Sequence, residues 1–207
     1  MKRNERTYRI GIGWLILSIL IFHFSLAQAE DTTAVEKPAI YQYTTIKLDI
    51  ASPIMAVAMN KGQLQHYEIG ANVRLQNRYY PTLELGYAGG TTNRGDSIFY
   101  NGNGVFFRVG ADINPLKKHP ESPHAMLVGI RIGTAVQNKG ETDCWGEIVA
   151  GCQVEVAQVN KTAFYMGWMG RFKILFTRNL ETPIYIPGYG MRENLGWGLN
   201  YHLGWRF

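Results

Sequence analysis

The chain ends with Leu195-Gly196-Trp197-Gly198-Leu199-Asn200-Tyr201-His202-Leu203-Gly204-Trp205-Arg206-Phe207, in which every odd position is large and apolar. A period of two is typical of a β-strand, because successive side chains point to opposite faces of the sheet. An aromatic face that reaches the carboxyl terminus favours a membrane-spanning strand, with lipid on one side and a polar lumen on the other. These thirteen residues, at about 3.3 Å each and tilted by about 45°, cover roughly 30 Å of membrane. The alternative is an edge strand of a soluble β-sandwich, which has the same period.

A single strand cannot cross a membrane alone, because its backbone groups would lie unpaired in hydrocarbon. Seven further segments with alternating side chains supply the partners. We predict strands over residues 44–54, 66–75, 79–88, 104–114, 124–136, 145–157, 162–176 and 195–207. The first of these can be extended to Met59, with a bulge at Pro53. An even number of strands predicts an all-β protein, an eight-stranded antiparallel up-and-down transmembrane β-barrel with both termini on one side.

The connections between the predicted strands differ in length. The turns at 76–78 and 158–161 are short, as periplasmic turns are, whereas the loops at 89–103 and 177–192 are long, as extracellular loops are. The links at 60–65 and 115–123 depart from this alternation. Aromatic residues at the strand ends predict two interfacial girdles, formed by Tyr79, Phe164, Trp205 and Phe207 at the periplasmic end and by Tyr67, Tyr87, Phe176 and Trp197 at the outer end.

The amino terminus is typical of a secretion signal. Basic residues precede an apolar core over 10–24, and Ala27-Gln28-Ala29 is a small-x-small cleavage site. We therefore predict a signal peptide over 1–29, a periplasmic tail over 30–42 and the barrel over 43–207, located in the cell outer membrane. Removing four basic residues and one acidic residue lowers the net charge from +5 to +2. The basic balance therefore gives no indication of nucleic-acid binding.

Composition restricts which other classes of protein and which kinds of site are possible. The mean hydropathy of −0.15 excludes a bundle of membrane helices. Cys144, just before the predicted strand over 145–157, and Cys152, within it, lie eight residues apart. This is about 26 Å at strand rise, which argues against a disulfide but leaves the pairing open. Without a histidine cluster, the cysteines do not form a zinc site, and we predict no metal, no cofactor and no catalytic residue.

Charged residues fall on the predicted lumen face of every predicted strand. They are Lys47, Asp49, Glu68, Arg74, Glu84, Arg108, Asp112, Arg131, Glu147, Glu155, Arg171, Lys173 and Arg206. The interior of an eight-stranded barrel is just wide enough for side chains to fill, and buried charges need partners. The pattern predicts a plugged, salt-bridged lumen, and a selective pore is the alternative.

Hairpin geometry predicts which of these charges are neighbours. If the connection between the third and fourth strands centres near residue 96, Glu84 lies beside Arg108. By the same arithmetic Glu147 lies beside Lys173, and Arg131 lies level with Arg108. A register shift of two residues would change the partners but not the direction in which a side chain faces.

The carboxyl terminus predicts how the barrel would be inserted. A terminal Phe after alternating aromatic residues is similar to the recognition signal of bacterial outer-membrane barrels. Its apolar residues are Tyr201, Leu203, Trp205 and Phe207. The expected partners are outer-membrane lipid and the barrel-assembly machinery.

Four stretches show a family resemblance. They are 78–87 (Arg-Tyr-Tyr-Pro-Thr-Leu-Glu-Leu-Gly-Tyr), 106–110 (Phe-Phe-Arg-Val-Gly), 164–168 (Phe-Tyr-Met-Gly-Trp) and 185–190 (Tyr-Ile-Pro-Gly-Tyr-Gly). Together they resemble a family of small secreted outer-membrane barrels of unknown function from Bacteroidetes, over roughly residues 40–207. The resemblance implies an outer-membrane location and an eight-stranded barrel, and it implies no activity.

Function is the least determined part of the sequence. The pattern favours a structural or surface-interaction role without catalysis, and the ligand is unknown. A small solute channel is one alternative. An outer-membrane lipid-modifying enzyme is the other, because His66 and Glu68 fall near the outer rim, with Ser97 in a neighbouring loop. Their spacing is not diagnostic of a catalytic triad.

Overall fold

Eight strands of alternating side chains pair around a closed ring in this computed structural model. It describes residues 39–60, 64–94, 97–116, 122–138, 140–160, 162–177 and 185–207. The predicted signal peptide and most of the predicted tail lie outside these residues, and β1 already begins at Tyr41. Among the described residues, no helix is long and apolar enough to cross a membrane.

The barrel strands follow the chain with one interruption. They are β1 (Tyr41–Asp49), β2 (Leu64–Leu75), β3 (Tyr79–Arg94), β4 (Ser97–Ile113), β5 (Ala125–Gln137), β6 (Thr142–Val159), β7 (Thr162–Leu175) and β10 (Leu195–Arg206). Helix α1 (Ala51–Asn60) follows β1, and a small hairpin of β8 (Tyr185–Ile186) and β9 (Gly190–Met191) precedes β10.

The ring order is β1-β10-β7-β6-β5-β4-β3-β2, and every neighbouring pair is antiparallel. The last strand closes the ring onto the first, with Trp205 opposite Ile46 and Leu203 opposite Leu48. The predicted closed barrel of eight antiparallel strands is therefore confirmed.

The period of two sorts side chains between the interior and the outside. In β10, Asn200 and His202 are buried, whereas Trp197 is 83% exposed. Bulky interior residues lie opposite small ones. Gly133 is the cross-strand partner of Trp145, and a Cβ at Gly133 would overlap the indole ring. Glycine at this position makes room for the largest interior side chain.

The prediction that β1 extends over 44–54 and resumes to Met59 is wrong, because residues 51–60 form α1. The Asp49 carboxylate accepts hydrogen bonds from the amides of Ala51 and Ser52, both at 3.3 Å. These bonds satisfy amides that have no partner within the helix. Pro53 is tolerated because it falls in the first helical turn, where no backbone donor is needed.

The predicted loop at 89–103 is also wrong for most of its length. β3 continues to Arg94, and β4 starts at Ser97. The ladder between them extends through Thr91, opposite Asn101, and Thr92, opposite Tyr100. Thr and Tyr favour strands, so the polar character of this segment does not prevent pairing. Elsewhere the predicted strand ends differ by a few residues, most at β6, which starts at Thr142 and carries Cys144 and Cys152 as free thiols.

Candidate functional site

Arg171, on β7, lies at the centre of the interior charges. Its two terminal nitrogens bond both carboxylate oxygens of Glu84, at 2.9 and 3.1 Å. The same guanidinium bonds Glu147 at 2.8 Å and Glu68 at 3.0 Å, and its Nε donates to Asn200 Oδ1 at 2.6 Å. Glu84 stands on β3, four places from β7 around the ring of eight. This ion pair therefore spans the interior between opposite walls.

Arg108, on β4, binds three of the same carboxylates. Its Nη1 lies 2.8 Å from Glu68 and 3.1 Å from Glu84, and its Nε lies 3.0 Å from Glu147. Its Nη2 donates to the backbone oxygen of Gly188 at 2.6 Å. Both terminal nitrogens have hydrogen-bond acceptors, while Nε lies at ion-pair distance from Glu147 without a hydrogen bond, so the buried guanidinium is compensated mainly by the three carboxylates.

Arg131, on β5, completes the network through Glu84 at 2.7 Å and Asp112 at 2.8 Å. The prediction that Arg131 lies level with Arg108 is wrong. In the β4–β5 ladder Arg131 lies opposite Gly110, while Arg108 lies opposite Gly133. The two-residue offset separates the like charges along the strands. We name the set Arg108, Arg131, Arg171, Glu68, Glu84, Asp112 and Glu147 the central charge network.

The other two predicted pairs of neighbouring charges do lie opposite each other. Glu84 pairs with Arg108 in the β3–β4 ladder, and Glu147 pairs with Lys173 in the β6–β7 ladder. The Lys173 ammonium, however, donates to the backbone oxygens of Gly188 and Tyr189, at 2.8 and 3.0 Å. Lys173 thus joins the wall to the segment that follows β7.

The hairpin β8–β9 folds into the mouth of the barrel at the end that carries α1. Its Ile186 and Tyr189 are buried in an apolar cluster with Phe106, Ala135 and Trp145. The Tyr189 hydroxyl donates to the backbone oxygen of Glu193 at 2.6 Å. Burial, with the Glu193 carboxylate as a smaller cause, raises the pKa of this hydroxyl, which keeps it a donor at neutral pH.

Gly188, at the tip of the hairpin, fits only as glycine. Its φ is +75°, in the left-handed region that favours glycine. A Cβ there would lie 2.5 Å from Cγ of the Phe106 ring. At the base of the hairpin, Arg192 bonds both oxygens of Asp143, at 2.7 and 2.8 Å. The predicted loop at 177–192 therefore contains a hairpin that covers the charge network.

A second polar cluster lies at the end of the barrel that carries the termini. Arg206 bonds Glu155 at 3.1 Å and the Tyr165 hydroxyl at 2.8 Å. Arg74 donates to the Tyr43 hydroxyl at 3.0 Å. Most of the predicted lumen charges are thus divided between two clusters and do not form one chain of ion pairs.

Lys47 and Asp49, the remaining predicted lumen charges, line a small cavity in the interior. Its volume is about 20 Å³, and its walls include His202 and Arg171. A cavity of this size holds about one water molecule.

Asp49, His66 and Glu68 are close enough to be considered as metal ligands, since their donor atoms lie within 4.8 Å of one another. Both Glu68 oxygens, however, bond Arg108 and Arg171, at 2.8 and 3.0 Å. The Asp49 oxygens accept backbone amides at the start of α1. Because these oxygens already have donors, and those of Glu68 lie beside two guanidinium groups, we assign no metal to them.

The hypothetical triad of His66, Glu68 and Ser97 is not assembled. His66 stacks on Phe106, with ring centroids 5.1 Å apart, and the Glu68 carboxylate is held by the two arginines. The backbone of His66 pairs with Ala88, while Ser97 pairs with Arg94, six residues farther along β3. At strand rise this is roughly 20 Å, too far for hydrogen bonding between the residues.

The predicted insertion residues line the outer face of β10. Leu203, Trp205 and Phe207 are exposed, and Tyr201 is half-buried. The amide and carbonyl of Phe207 bond those of Thr44, both at 3.1 Å. The last residue thus extends the ladder that closes the ring.

Sequence reasoning missed α1, the inward hairpin, and the roles of Asn200 and Trp145. The Trp145 indole donates to Glu147 at 2.7 Å and so belongs to the polar interior as well as the apolar cluster. A signal for the hairpin was present in Pro187-Gly188, a turn dipeptide between two apolar pairs.

Comparison with known proteins gives a family and no characterised relative. No curated protein matches the chain. No solved structure matches it either. A family model described as a domain of unknown function (DUF6048) matches residues 7–140, in agreement with the expected membership of a family without an assigned function. Because the match covers more than half of its length, this chain, a small closed barrel of eight strands, belongs to the DUF6048 family.

Proposed function

We propose that this protein is an integral β-barrel of the bacterial outer membrane with a closed, salt-bridged interior and a structural or surface-interaction role, without catalysis. Its outward face supports the membrane location. Ile130 is 69% exposed, and exposed apolar side chains occur on every barrel strand. Soluble monomers rarely expose continuous apolar surface of this extent. In a membrane the same surface would contact lipid.

The exposed aromatic residues support the same proposal. Tyr67 lies opposite Tyr87 near the end that carries α1, and Trp205 lies opposite Phe164 near the end that carries the termini. All four side chains are exposed. Aromatic girdles at both interfaces are typical of outer-membrane barrels. We assign the end with the termini to the periplasm and α1 to the outer side.

Delivery to the membrane would use the two ends of the chain. The basic and apolar segment over 1–29 would direct secretion and be removed. Tyr201, Leu203, Trp205 and Phe207 would then be recognised by the barrel-assembly machinery. Neither step needs a nucleic acid or a cofactor.

The observation that carries the closed interior is the bidentate pair of Arg171 and Glu84, which joins opposite walls. An eight-stranded barrel encloses little more space than its own side chains fill. Opening a path for ions would separate buried charges, and breaking such a pair costs about 3–5 kcal/mol. We therefore expect no ion conduction.

Planar-bilayer recordings on the refolded protein test the closed interior. We expect a flat baseline over a range of voltages. Steady and reproducible open-channel currents would contradict the proposal and favour a small solute channel. A change in lipid A mass that depends on His66 would instead favour a lipid-modifying enzyme.

Fractionation tests the membrane location separately. The expressed full-length chain should be recovered with the outer membrane, and its amino-terminal sequence should begin near Glu30. Recovery of the mature protein in a soluble fraction, or with residues 1–20 retained, would contradict this part of the proposal.

A further inference from the structure

A pocket of about 240 Å³ opens at the mouth of the barrel, between α1, the β8–β9 hairpin and β10. The central charge network forms its floor through Arg108, and Lys173 and Asn200 stand beside it. We name it the mouth pocket. Concave sites of this kind, with few polar groups and apolar walls, are where proteins bind small molecules.

Two basic side chains, Lys173 and Arg108, line the mouth pocket together with His66. No carboxylate is among the described residues that line it. The nearest glutamates of the network point at guanidinium groups instead, with Glu68 and Glu147 both bonded to Arg108 and Arg171. The pocket therefore favours an anion.

Lys173 supplies the charge that the anion would meet. Its side chain is 6% exposed, and among the described residues no carboxylate lies within 4.0 Å of its ammonium. Two of its donors reach Gly188 and Tyr189, and an ammonium has three. Arg108, in contrast, already bonds three carboxylates. The third donor of the Lys173 ammonium is therefore available to a ligand, and a carboxylate is the acceptor that an ammonium bonds most strongly.

His66 offers a second unfilled hydrogen-bonding position. Its Nδ1 is buried and has no partner among the described residues. A buried polar atom without a partner is costly, so a ligand that fills this position would gain a hydrogen bond. The ring lines the mouth pocket on the face of β2, opposite Lys173 on β7.

The remaining walls are apolar. They are formed by Met55, Ala56, Leu64, Tyr185, Tyr189 and Leu199. Met55 is 51% exposed, so this wall is open to solvent and a ligand can enter from it. We propose that the mouth pocket binds a monocarboxylate with a short apolar tail, the carboxylate on Lys173 and the tail against α1. The site is defined by the barrel itself and does not depend on whether the barrel conducts ions.

Calorimetric titration of the folded, full-length protein with hexanoate tests the proposal. We expect saturable binding with one site per chain, and no binding of hexan-1-ol or hexylammonium. Absence of saturable hexanoate binding overturns the proposal. Equal binding of hexylammonium also overturns it, because the charge argument would then be wrong.

Lys173→Met keeps most of the apolar stem and removes the charge. It should weaken hexanoate binding at least tenfold, as expected for loss of a hydrogen bond to a charged group. Arg206→Met, at the opposite end of the barrel, is the matched control and should leave binding unchanged. Undiminished binding by Lys173→Met overturns the proposal.

A second pair of variants avoids the barrel interior. Met55→Glu places a carboxylate in the outer wall of the mouth pocket, and Met55→Gln has the same size without the charge. Met55→Glu should weaken hexanoate binding several-fold relative to Met55→Gln. Equal affinities of these two folded variants overturn the proposal even if Lys173→Met does not fold.

Discussion

Arg171 and Glu84 face each other from opposite walls of the barrel and form a bidentate ion pair with N–O distances of 2.9 and 3.1 Å. Charged pairs with two parallel hydrogen bonds are the strongest and most directional of protein ion pairs. Because β3 and β7 are connected only through the rest of the ring, this pair ties together segments that are distant in the ladder. The interior is thus held by side chains as well as by backbone pairing.

Arg171→Met should destabilise the barrel by about 3–5 kcal/mol, because Glu68, Glu84 and Glu147 would remain buried with one cation fewer. Urea unfolding, followed by the gel shift between folded and unfolded barrel, measures the effect. Arg78→Ala, in the exposed turn between β2 and β3, is the control and should change stability by less than about 0.5 kcal/mol. Similar losses for both variants would show that the central charge network contributes little.

A double-mutant cycle measures the interaction energy between Arg171 and Glu84 apart from their contacts with other residues. Glu84→Gln combined with Arg171→Met should cost less than the sum of the single substitutions, with an interaction energy of about 0.5–3 kcal/mol. Glu84→Gln combined with Arg206→Met should be additive, because Arg206 belongs to the cluster at the other end. A zero interaction energy for the first pair would contradict the direct coupling.

The strands and their facing were predictable because the period of two is a local property of the sequence. Each strand carries its own alternation, and burial of one face follows from it. Helix α1 was not predictable from that signal, because the Asp49 carboxylate accepts the amides of Ala51 and Ser52 where an extended strand was expected. These side-chain hydrogen bonds to the backbone compete locally with strand pairing, and the alternation of apolar residues contains no information about them.

Register was predictable only across the nearly symmetric connections. The β3–β4 ladder keeps Glu84 opposite Arg108, although a bulge near Thr92 shifts the pairing at its tip. Across the longer connection between β4 and β5 the register differs by two residues from the predicted one, because Arg108 lies opposite Gly133 and Arg131 lies opposite Gly110.

The interior position of the hairpin depends on contacts far along the chain. The Gly188 oxygen accepts from Arg108, eighty residues earlier, and from Lys173. Neither donor can be recognised from the local sequence of 185–190. Loops of this kind are expected on the surface. Only the assembled barrel brings together the two donors whose hydrogen bonds hold this hairpin inside.

Gly188→Ala should release the hairpin from the mouth of the barrel. The added Cβ would collide with the Phe106 ring, and the alanine would also have to adopt a left-handed backbone conformation. We expect the free energy of unfolding to fall by about 1–3 kcal/mol. We also expect faster tryptic cleavage after Arg192. Gly140→Ala is the matched control, since its φ of +79° is similar and no described atom lies within 4 Å of the added Cβ. Equal rates of cleavage after Arg192 in the two variants would contradict the release of the hairpin by Gly188→Ala.

Deleting residues 205–207 should prevent accumulation of a folded barrel. The deletion removes the pairing of Trp205 with Ile46 and both backbone bonds between Phe207 and Thr44. The deletion would leave backbone groups of β1 at Thr44, Thr45 and Ile46 without their partners from the last strand, which is strongly unfavourable in lipid. It also removes two of the apolar residues that we propose as the insertion signal. We expect degradation in the periplasm, seen as loss of the heat-modifiable band in the membrane fraction. A control that replaces Trp205 by Phe and keeps the backbone should accumulate normally, because both the ladder and an aromatic side chain remain. Normal levels of heat-modifiable barrel in the truncated protein would refute the role of this terminus in closing the ring.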